Sequence, residues 1–317
     1  MKAQRGAAIL TAMLTVVLVA TLASAALWQQ WRGVEIETAE RGRMQSAWVL
    51  TGALDWARLI LSEDGRKGGT DHLGEPWAVP LAQARLSTFL AADRSDTLAA
   101  DASQDAFLSG SIVDLQSRLN VTNLVQGGVI QVPAEKAFQR LFKLLNLPEG
   151  ELTLLADNLR RSQAPPGDSK EAAAAPLQPQ DLDQLTWLGL SPRSIAVLRP
   201  YVTLLPVPTP VNLNTASAEV IYACVEALAL ADAHRLVAAR SAAPLTTVTD
   251  AAKAAGKADA VFTDSLHSFV TRFFEVSGAL QLGSTTVQEI SLVQRDGLNV
   301  KTLARKRAVL PTIAPLQ

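Results

Sequence analysis

Ala7 to Trp28 is a run of 22 residues without a charge, a glycine or a proline. As a helix rising 1.5 Å per residue it reaches about 33 Å, enough to cross the hydrocarbon core of a bilayer. A cleavable secretory signal has an apolar segment of about half that length, with its small-residue cleavage site after the apolar run. Here the small-residue junction Gly6–Ala7 comes before the run, behind a short segment carrying Lys2 and Arg5. Those two cations predict a cytoplasmic N-terminus with the bulk of the chain across the membrane, in the periplasm for a bacterial source. Trp28, Trp31 and Arg32 stand where an interfacial anchor belongs.

No proline interrupts the chain from Trp28 to Ser62. Over the same stretch Met44, Ala47, Leu50, Leu54, Ala57 and Leu61 recur at three- and four-residue steps, the mark of an amphipathic helix. Joined, the two parts predict one helix of roughly 55 residues, on the order of 80 Å long. Its first half is apolar all round and its second half one-sided. The alternative is a signal-anchor helix followed by a separate soluble helix.

The 317 residues suffice for two domains of ordinary size. A formal charge of −1 argues against a surface built mainly for nucleic acid or anionic lipid. One cysteine, Cys224, excludes an intramolecular disulfide. It falls on an apolar helical face between Ile221 and Leu228, which predicts a buried, inert thiol. His72, His234 and His267 are far apart and share no metal-ligand spacing, and no hydrolase, phosphate-loop or dinucleotide signature occurs. No catalytic residue and no metal ligand is assigned, and the chain reads as a non-enzyme.

After the helix, Asp71 to Leu81 contains a Gly-Glu-Pro-Trp turn that frees Trp77 to enter a core. His72 between Asp71 and Glu75 suggests either a metal corner or, preferably, a solvated turn, because no second ligand cluster lies near in sequence. Val113, Leu115, Leu119, Val121 and Val125 alternate with polar residues and predict a half-buried strand, and Gly127–Gly128 turns it into Val129–Val132. Pro133 starts a helical stretch with Phe138, Leu141, Phe142 and Leu145 on one face. Gln163 to Gln180 has the composition of a linker or exposed loop. Helical patterns resume at Asp181 and run to about Phe269. Strands return near the C-terminus, broken at Gly283–Ser284 and Asp296–Gly297, and Lys301 to Arg307 reads as a solvated basic end. Early and late strands around a helical block predict one sheet, packed on the long helix and interrupted by an insertion.

Val211 to Arg240 competes for the functional reading. Its N-x-N-T-A-x-x-E opening resembles the helix-hairpin-helix of competence-type DNA receptors, which are also membrane-anchored. Asn214 or Thr215 is expected to cap the first helix, with Glu219 in its first turn. The DNA-binding version of that hairpin uses glycines to expose N–H groups to phosphate. Val225-Glu226-Ala227-Leu228-Ala229 has no glycine and carries an acid there, and Arg235 and Arg240 alone supply little of the usual electrostatic term. The motif is therefore expected to serve packing or protein contacts. A membrane-anchored DNA receptor is the alternative.

The residues Gln4 to Met13, QRGAAILTAM, resemble the class III signal of type IV pilins and pseudopilins. The resemblance implies that a prepilin peptidase cuts after Gly6 and methylates Ala7, leaving the apolar helix in place. Most members carry glutamate at the fifth mature position, which here is Thr11. A buried carboxylate is costly unless paired. A subunit with no neighbour above it has no amine to pair with, and Thr11 can instead bond a carbonyl of its own helix. The missing acid is the pattern of K-type minor pseudopilins of type II secretion, placed at the filament tip, although drift in any single-span protein would also remove it. Asp71 to Pro80 resembles their D-x-x-G-E-x-W-A-x-P block, and Asp114 to Leu124 resembles the D-L-Q-x-R-x-N-x-x-N-L pattern of their first strand.

The resemblance implies an α+β chain: a type IV pilin-like fold, with a long N-terminal helix on a small antiparallel sheet, and a large inserted all-α domain. Its expected parts are a leader at 1–6, a transmembrane helix at 7–28, pilin-like segments at 29–133 and 271–317, and the inserted domain at 134–270. It implies a single-pass inner-membrane protein that helps initiate the pseudopilus and forms its tip. The implied partners are the I- and J-type minor pseudopilins, the major pseudopilin and the prepilin peptidase. Contact with exported substrates stays open, and no nucleic acid is implied. Calcium enters by resemblance alone, since some K-type members bind it. The acidic segment Asp93–Asp105 offers oxygens for it, and no ligand is assignable.

Overall fold

Helix α1, Arg5–Lys67, runs unbroken for 63 residues, about 95 Å, in the computed structural model of the chain. The structure describes residues 5–86, 106–163, 175–257, 260–283 and 285–311. Arg66 and Lys67 complement the helix dipole in its last turn, and Gly68 at φ +65° closes it. The single continuous helix expected from the missing prolines is present, five residues longer than Ser62 allowed.

Residues 8–41 of α1 are exposed throughout, and packing begins at Gly42, where an added Cβ would lie 3.7 Å from Leu282. Leu50, Leu54, Ala57 and Leu61 are buried as their spacing predicts. The contact face then continues through Ser46 and Gly42, so Met44 turns to solvent and Ala47 is only half-buried. That corrects the upper end of the expected stripe.

The helix lies on a five-stranded antiparallel sheet of order β1 (Leu81–Arg85), β2 (Ala106–Asp114), β9 (Phe273–Leu282), β10 (Thr285–Asp296), β11 (Asn299–Pro311). On β10 every second residue from Val287 to Arg295 is buried. Leu54, Leu61, Trp77, Phe274, Val276 and Val293 form the core between helix and sheet, with the Trp77 and Phe274 rings edge-on at 5.3 Å. Gly65 lets the helix end approach the β10–β11 turn, because a Cβ there would sit 2.6 Å from the Gly297 carbonyl.

Two expectations about strands need correction. The alternating segment 113–125 is not one strand. β2 ends at Asp114, and the chain continues as a 3-10 turn (Leu115–Ser117), a two-residue strand β3 (Leu119–Asn120) and a second turn (Val121–Leu124). The side chains of Asp114 and Asn120 accept from Gln116 N and Thr122 N, taking the backbone out of a ladder. The Gly127–Gly128 turn does join β4 (Val125–Gln126) to β5 (Val129–Ile130), but this hairpin stands apart from the main sheet. The basic segment Lys301 to Arg307 is not a free end either. It lies in the edge strand β11, where Arg305 and Arg307 pair with the buried Glu289 and Lys306 with Asp181.

The block between β2 and β9 has its own core, centred on Phe138, Leu141, Phe142, Leu155, Leu188, Val220, Ile221 and Leu236. It contains α2 (Val132–Leu144), α3 (Glu149–Ser162), α4 (Pro192–Leu198), α5 (Ala218–Cys224), α6 (Leu230–Ala242) and α7 (Val248–Ala255). Ser191, Ser217 and Thr247 cap α4, α5 and α7 with their hydroxyls. The block is not purely helical. Parallel bridges join β3 to β6 (Val202–Thr203) and β7 (Val211–Asn212) to β8 (His267–Ser268). Residues 164–174 of the expected linker, the whole segment Asp93–Asp105 and residues 1–4 of the expected leader lie outside the described residues.

Candidate functional site

The chain presents two structural specialisations: the free part of α1, and the junction that fixes the helical block to the sheet. In the first, Ile9, Leu10, Leu14, Val17, Leu22 and Leu27 are all about two-thirds exposed, as only an apolar surrounding would favour. Helix α1 is the helix among the described residues long and apolar enough to cross a membrane. The threonine hydroxyls of its apolar run are satisfied internally: Thr11, Thr15 and Thr21 donate to the carbonyls of Ala8, Ala12 and Leu18 at 3.0, 2.8 and 2.9 Å. Gly6 and Ala7 lie in its first turn. At the far end of the apolar run, the Arg32 guanidinium sits 5.5 Å from the Trp28 ring.

The junction is polar and buried. Asp114 ends β2, Thr271 precedes β9, and Asn212 and Thr215 belong to the block. Asp114 Oδ2 accepts from Thr215 Oγ1 at 2.5 Å, Thr271 Oγ1 at 2.6 Å and Asn212 Nδ2 at 3.0 Å, while Oδ1 accepts from Gln116 N at 2.6 Å. Burial pushes the Asp114 carboxyl up to about 6 even though all of these bonds pull the other way. Gln116 extends the network, accepting from Arg272 N at 2.8 Å and donating to Pro210 O at 3.1 Å. Asn123, a polar residue in the apolar phase of the alternating segment, exchanges two bonds with the Thr209 backbone.

Beside it, Asp64, Asp71 and Glu75 bring three carboxylates within 4.8 Å of one another. This is where the sequence suggested a metal corner or, preferably, a solvated turn around His72; the turn is there, with Leu73 and Gly74 exposed, but its first residue is drawn inside. Asp71 is buried, and its backbone carbonyl and Oδ2 hold Asn212 Nδ2 and Thr271 N at 3.1 and 2.6 Å. His72 Nδ1 accepts from Gly74 N at 3.1 Å. The Arg295 guanidinium pairs with both Asp64 and Asp71, and Glu75 accepts from Trp77 Nε1 and His72 N. Burial pulls Arg295 down, but Asp71 and Asp64 outweigh it and hold its pKa above the ordinary value. A guanidinium therefore occupies the place a calcium ion would need, and these residues do not fit that metal.

The helix-hairpin-helix resemblance holds in outline and fails at its working end. Ser217, not Asn214 or Thr215, caps α5, because Asn214 is engaged with both the N–H and C=O of Leu245 and Thr215 with Asp114. Glu219 is in the first turn of α5 as expected. The hairpin turns carbonyls outward to a cation. Arg140 of α2 donates to Tyr222 O at 3.0 and 2.7 Å, to Glu226 O at 2.9 Å and to Leu228 O at 2.8 Å, and lies 4.1 Å from the Tyr222 ring centre. Lys136 pairs with Glu226 at 2.9 Å. Arg235 is tied to Asp232 and Ala255 O, and Arg240 to Leu213 O. A phosphate would meet oxygens here.

Cys224 ends α5, half-buried, with its thiol toward Ile221 O and pushed up to about 12 by burial, so it is an unreactive thiol at neutral pH. His267 is buried with Nδ1 against Thr263, and burial lowers its pKa. Among the described residues the cluster of three potential metal ligands is Asp64, Asp71 and Glu75, and it includes neither Cys224 nor His267.

Comparison with known proteins agrees with this architecture. Two family models, both described as type II secretion system protein K, match residues 117–207 and 211–268. The type II secretion system protein K of Pseudomonas aeruginosa is 27% identical over 328 residues, spanning 96% of this chain and 93% of that one. A chain in the crystal structure of the GspK-GspI-GspJ complex from enterotoxigenic Escherichia coli superposes with a TM-score of 0.67 at 18% identity, covering 85% of this chain and 98% of that chain.

Proposed function

Because this chain belongs to the type II secretion system protein K family, we propose that it is a minor pseudopilin that helps start the periplasmic pseudopilus and sits at its tip. The observation that carries the proposal is α1: residues 8–41 stand clear of the fold, apolar at first, and the same helix then becomes the spine of an antiparallel sheet. A helix half buried in its own domain and half free is suited to packing in a bundle of like helices. The solved relative is in complex with GspI and GspJ, which supports the I- and J-type minor pseudopilins as partners of this chain, with the major pseudopilin below them.

In this account the prepilin peptidase removes residues 1–6 after Gly6 and methylates Ala7, residues 7–28 span the inner membrane, and the bulk faces the periplasm. Thr11 bonds its own helix and makes no demand for a neighbour's amine, which suits a topmost subunit. The packed half of α1 with β1, β2 and β9 to β11 forms the pilin-like part, and the block between β2 and β9 forms the inserted domain, which begins nearer Leu115 than residue 134 and whose bulk would obstruct a further subunit above it. The chain performs no catalysis of its own and binds no nucleic acid. The hairpin carbonyls held by Arg140 favour this over the DNA-receptor alternative.

The test is coexpression of the full-length chain with the I- and J-type pseudopilins of its own system, followed by purification through a tag on this chain. A stoichiometric ternary complex that excludes the major pseudopilin from one end is the expected result. Recovery of this chain alone, under conditions where the other two recover each other, contradicts the proposal.

A further inference from the structure

A cavity of about 250 Å³ lies between α1 and the sheet, and its construction is specific. The strand register sets Leu81, Gly110, Gly278 and Glu289 in one row across β1, β2, β9 and β10, on the side that faces the helix. Gly110 and Gly278 contribute no side chains; Leu50 packs down on Gly278, and the trough left under α1 opens over Gly110 toward the β1 edge, with Glu289 and Ser291 in its inner wall. Neither glycine can be enlarged freely: a Cβ on Gly110 would lie 2.8 Å from Ser277 O, and one on Gly278 would lie 3.2 Å from Leu50 Cδ2. Above the trough, Leu50, Ala53, Leu54 and Ala57 make an apolar roof.

The inner end is polar. Glu289 and Ser291 both line the cavity, at 3% and 1% exposure. Ser291 Oγ has no hydrogen-bond partner in the protein. Glu289 Oε2 accepts from Arg307 Nε at 3.0 Å, while Oε1, although 3.2 Å from Arg305 Nε, accepts no hydrogen bond. A carboxylate oxygen can only accept, and leaving it unmet in an apolar site costs free energy. Glu289 already has two guanidinium partners, so a further full positive charge gains little there, and a neutral N–H or O–H satisfies the oxygen.

We propose that this trough binds a small aromatic molecule with one N–H or O–H donor, of the size of a phenol or an indole. The ring would lie over Gly110, beneath the aliphatic roof and beside Leu50, and the donor would be directed at Glu289 or Ser291. Size sets the class, since an apolar cavity of roughly 150 Å³ accepts a benzene ring, and 250 Å³ leaves room for a bicycle but not for a larger ligand. The site is separate from the free part of α1 and from the polar junction.

The test is titration of the full-length chain in lipid nanodiscs with indole, and with indene, which has the same shape and no N–H. Empty nanodiscs serve as the blank. Saturable indole binding at one site, with indene weaker by at least about tenfold, is the expected result. Ala53→Leu, which fills the roof side, should remove the binding while keeping the unfolding temperature. The ratio of indole to indene on the unaltered chain stands whatever that variant does. Titration with N-acetyl-tryptophanamide then separates the sources: binding by it as well assigns the site to a tryptophan side chain of a peptide, and binding by indole alone assigns it to a free small molecule. Uptake no greater than that of empty nanodiscs, or equal affinity for indole and indene, overturns the proposal.

Discussion

Asn212 donates its side-chain amide to the Asp114 carboxylate at 3.0 Å, although 98 residues separate them in the chain. One belongs to the helical block and the other ends the second strand of the sheet. The same amide also reaches Asp71 O and Thr271 Oγ1, both at 3.1 Å. A single side chain thus ties the turn after α1, the exit from the sheet and the return to it. The block is held by a buried polar knot as well as by apolar contact, so its attachment should answer to pH and to single polar substitutions.

Asp114 sets the pH dependence. Burial raises its carboxyl from 3.8 to about 6 in the folded chain. A group that holds its proton more tightly when folded stabilises the fold below about pH 4 and loses that contribution as pH rises through about 6. Denaturant midpoints of the unaltered chain and of Asp114→Asn should therefore differ by an amount that changes between pH 4 and pH 7, in the variant's favour as pH rises. Parallel curves would contradict the assignment.

Arg295 is the second point of test. Replacing it by alanine leaves Asp64 and Asp71 facing each other inside the protein, which should cost roughly 3–5 kcal/mol of stability. Without the guanidinium, Asp64, Asp71 and Glu75 become three carboxylates within 4.8 Å. Arg295→Ala should therefore gain a calcium-dependent rise in unfolding temperature beyond any shown by the unaltered chain. Scanning calorimetry with calcium and with a chelator reads both effects.

Arg140 should be structural. Arg140→Ala removes the donors from the Tyr222, Glu226 and Leu228 carbonyls. A loss of about 2–3 kcal/mol is expected, with faster hydrogen exchange at Val225 to Ala229. Binding of duplex DNA by the unaltered chain in a salt titration, lost with Arg140, would contradict this account of the hairpin.

Gly65 should tolerate no side chain. An alanine there would press its Cβ to 2.6 Å from the Gly297 carbonyl, a backbone atom that cannot turn away. Gly65→Ala should lower stability by about 1–3 kcal/mol, although alanine favours helix. Gly52, with open space around it, is the control, and Gly52→Ala should leave stability unchanged or raise it.

Legibility in the sequence followed the range of the interactions. The helix could be read because its signals are local: an uncharged run, no proline, and Leu50, Leu54, Ala57 and Leu61 at helical spacing. The three C-terminal strands could be read because β10 alternates and glycines at positive φ, Gly283 and Gly297, mark both turns. β2 was misplaced because it has a partner on each side and its residues are half-buried without alternation, whereas the alternating segment after it is a series of Asx-capped turns. β1 is a short exposed edge with no pattern to see. The charges of β11 looked like a solvated tail, but they are the charges of a long edge strand, which also guard it against pairing with other chains. The junction was out of reach of any local pattern. Asp71, Asp114, Asn212, Thr271 and Arg295 come together from across the chain, and only their polarity inside apolar surroundings hints at a shared role.

The most direct test of the central claim is the mass of the intact chain and of its N-terminal peptide, made with and without a prepilin peptidase. The account predicts removal of Met1 to Gly6 only when the peptidase is present, and a mature chain that begins at an Ala7 carrying one added methyl group. A chain that keeps its first six residues in the presence of the peptidase, or one cut beyond the apolar run near Ala25, would contradict it.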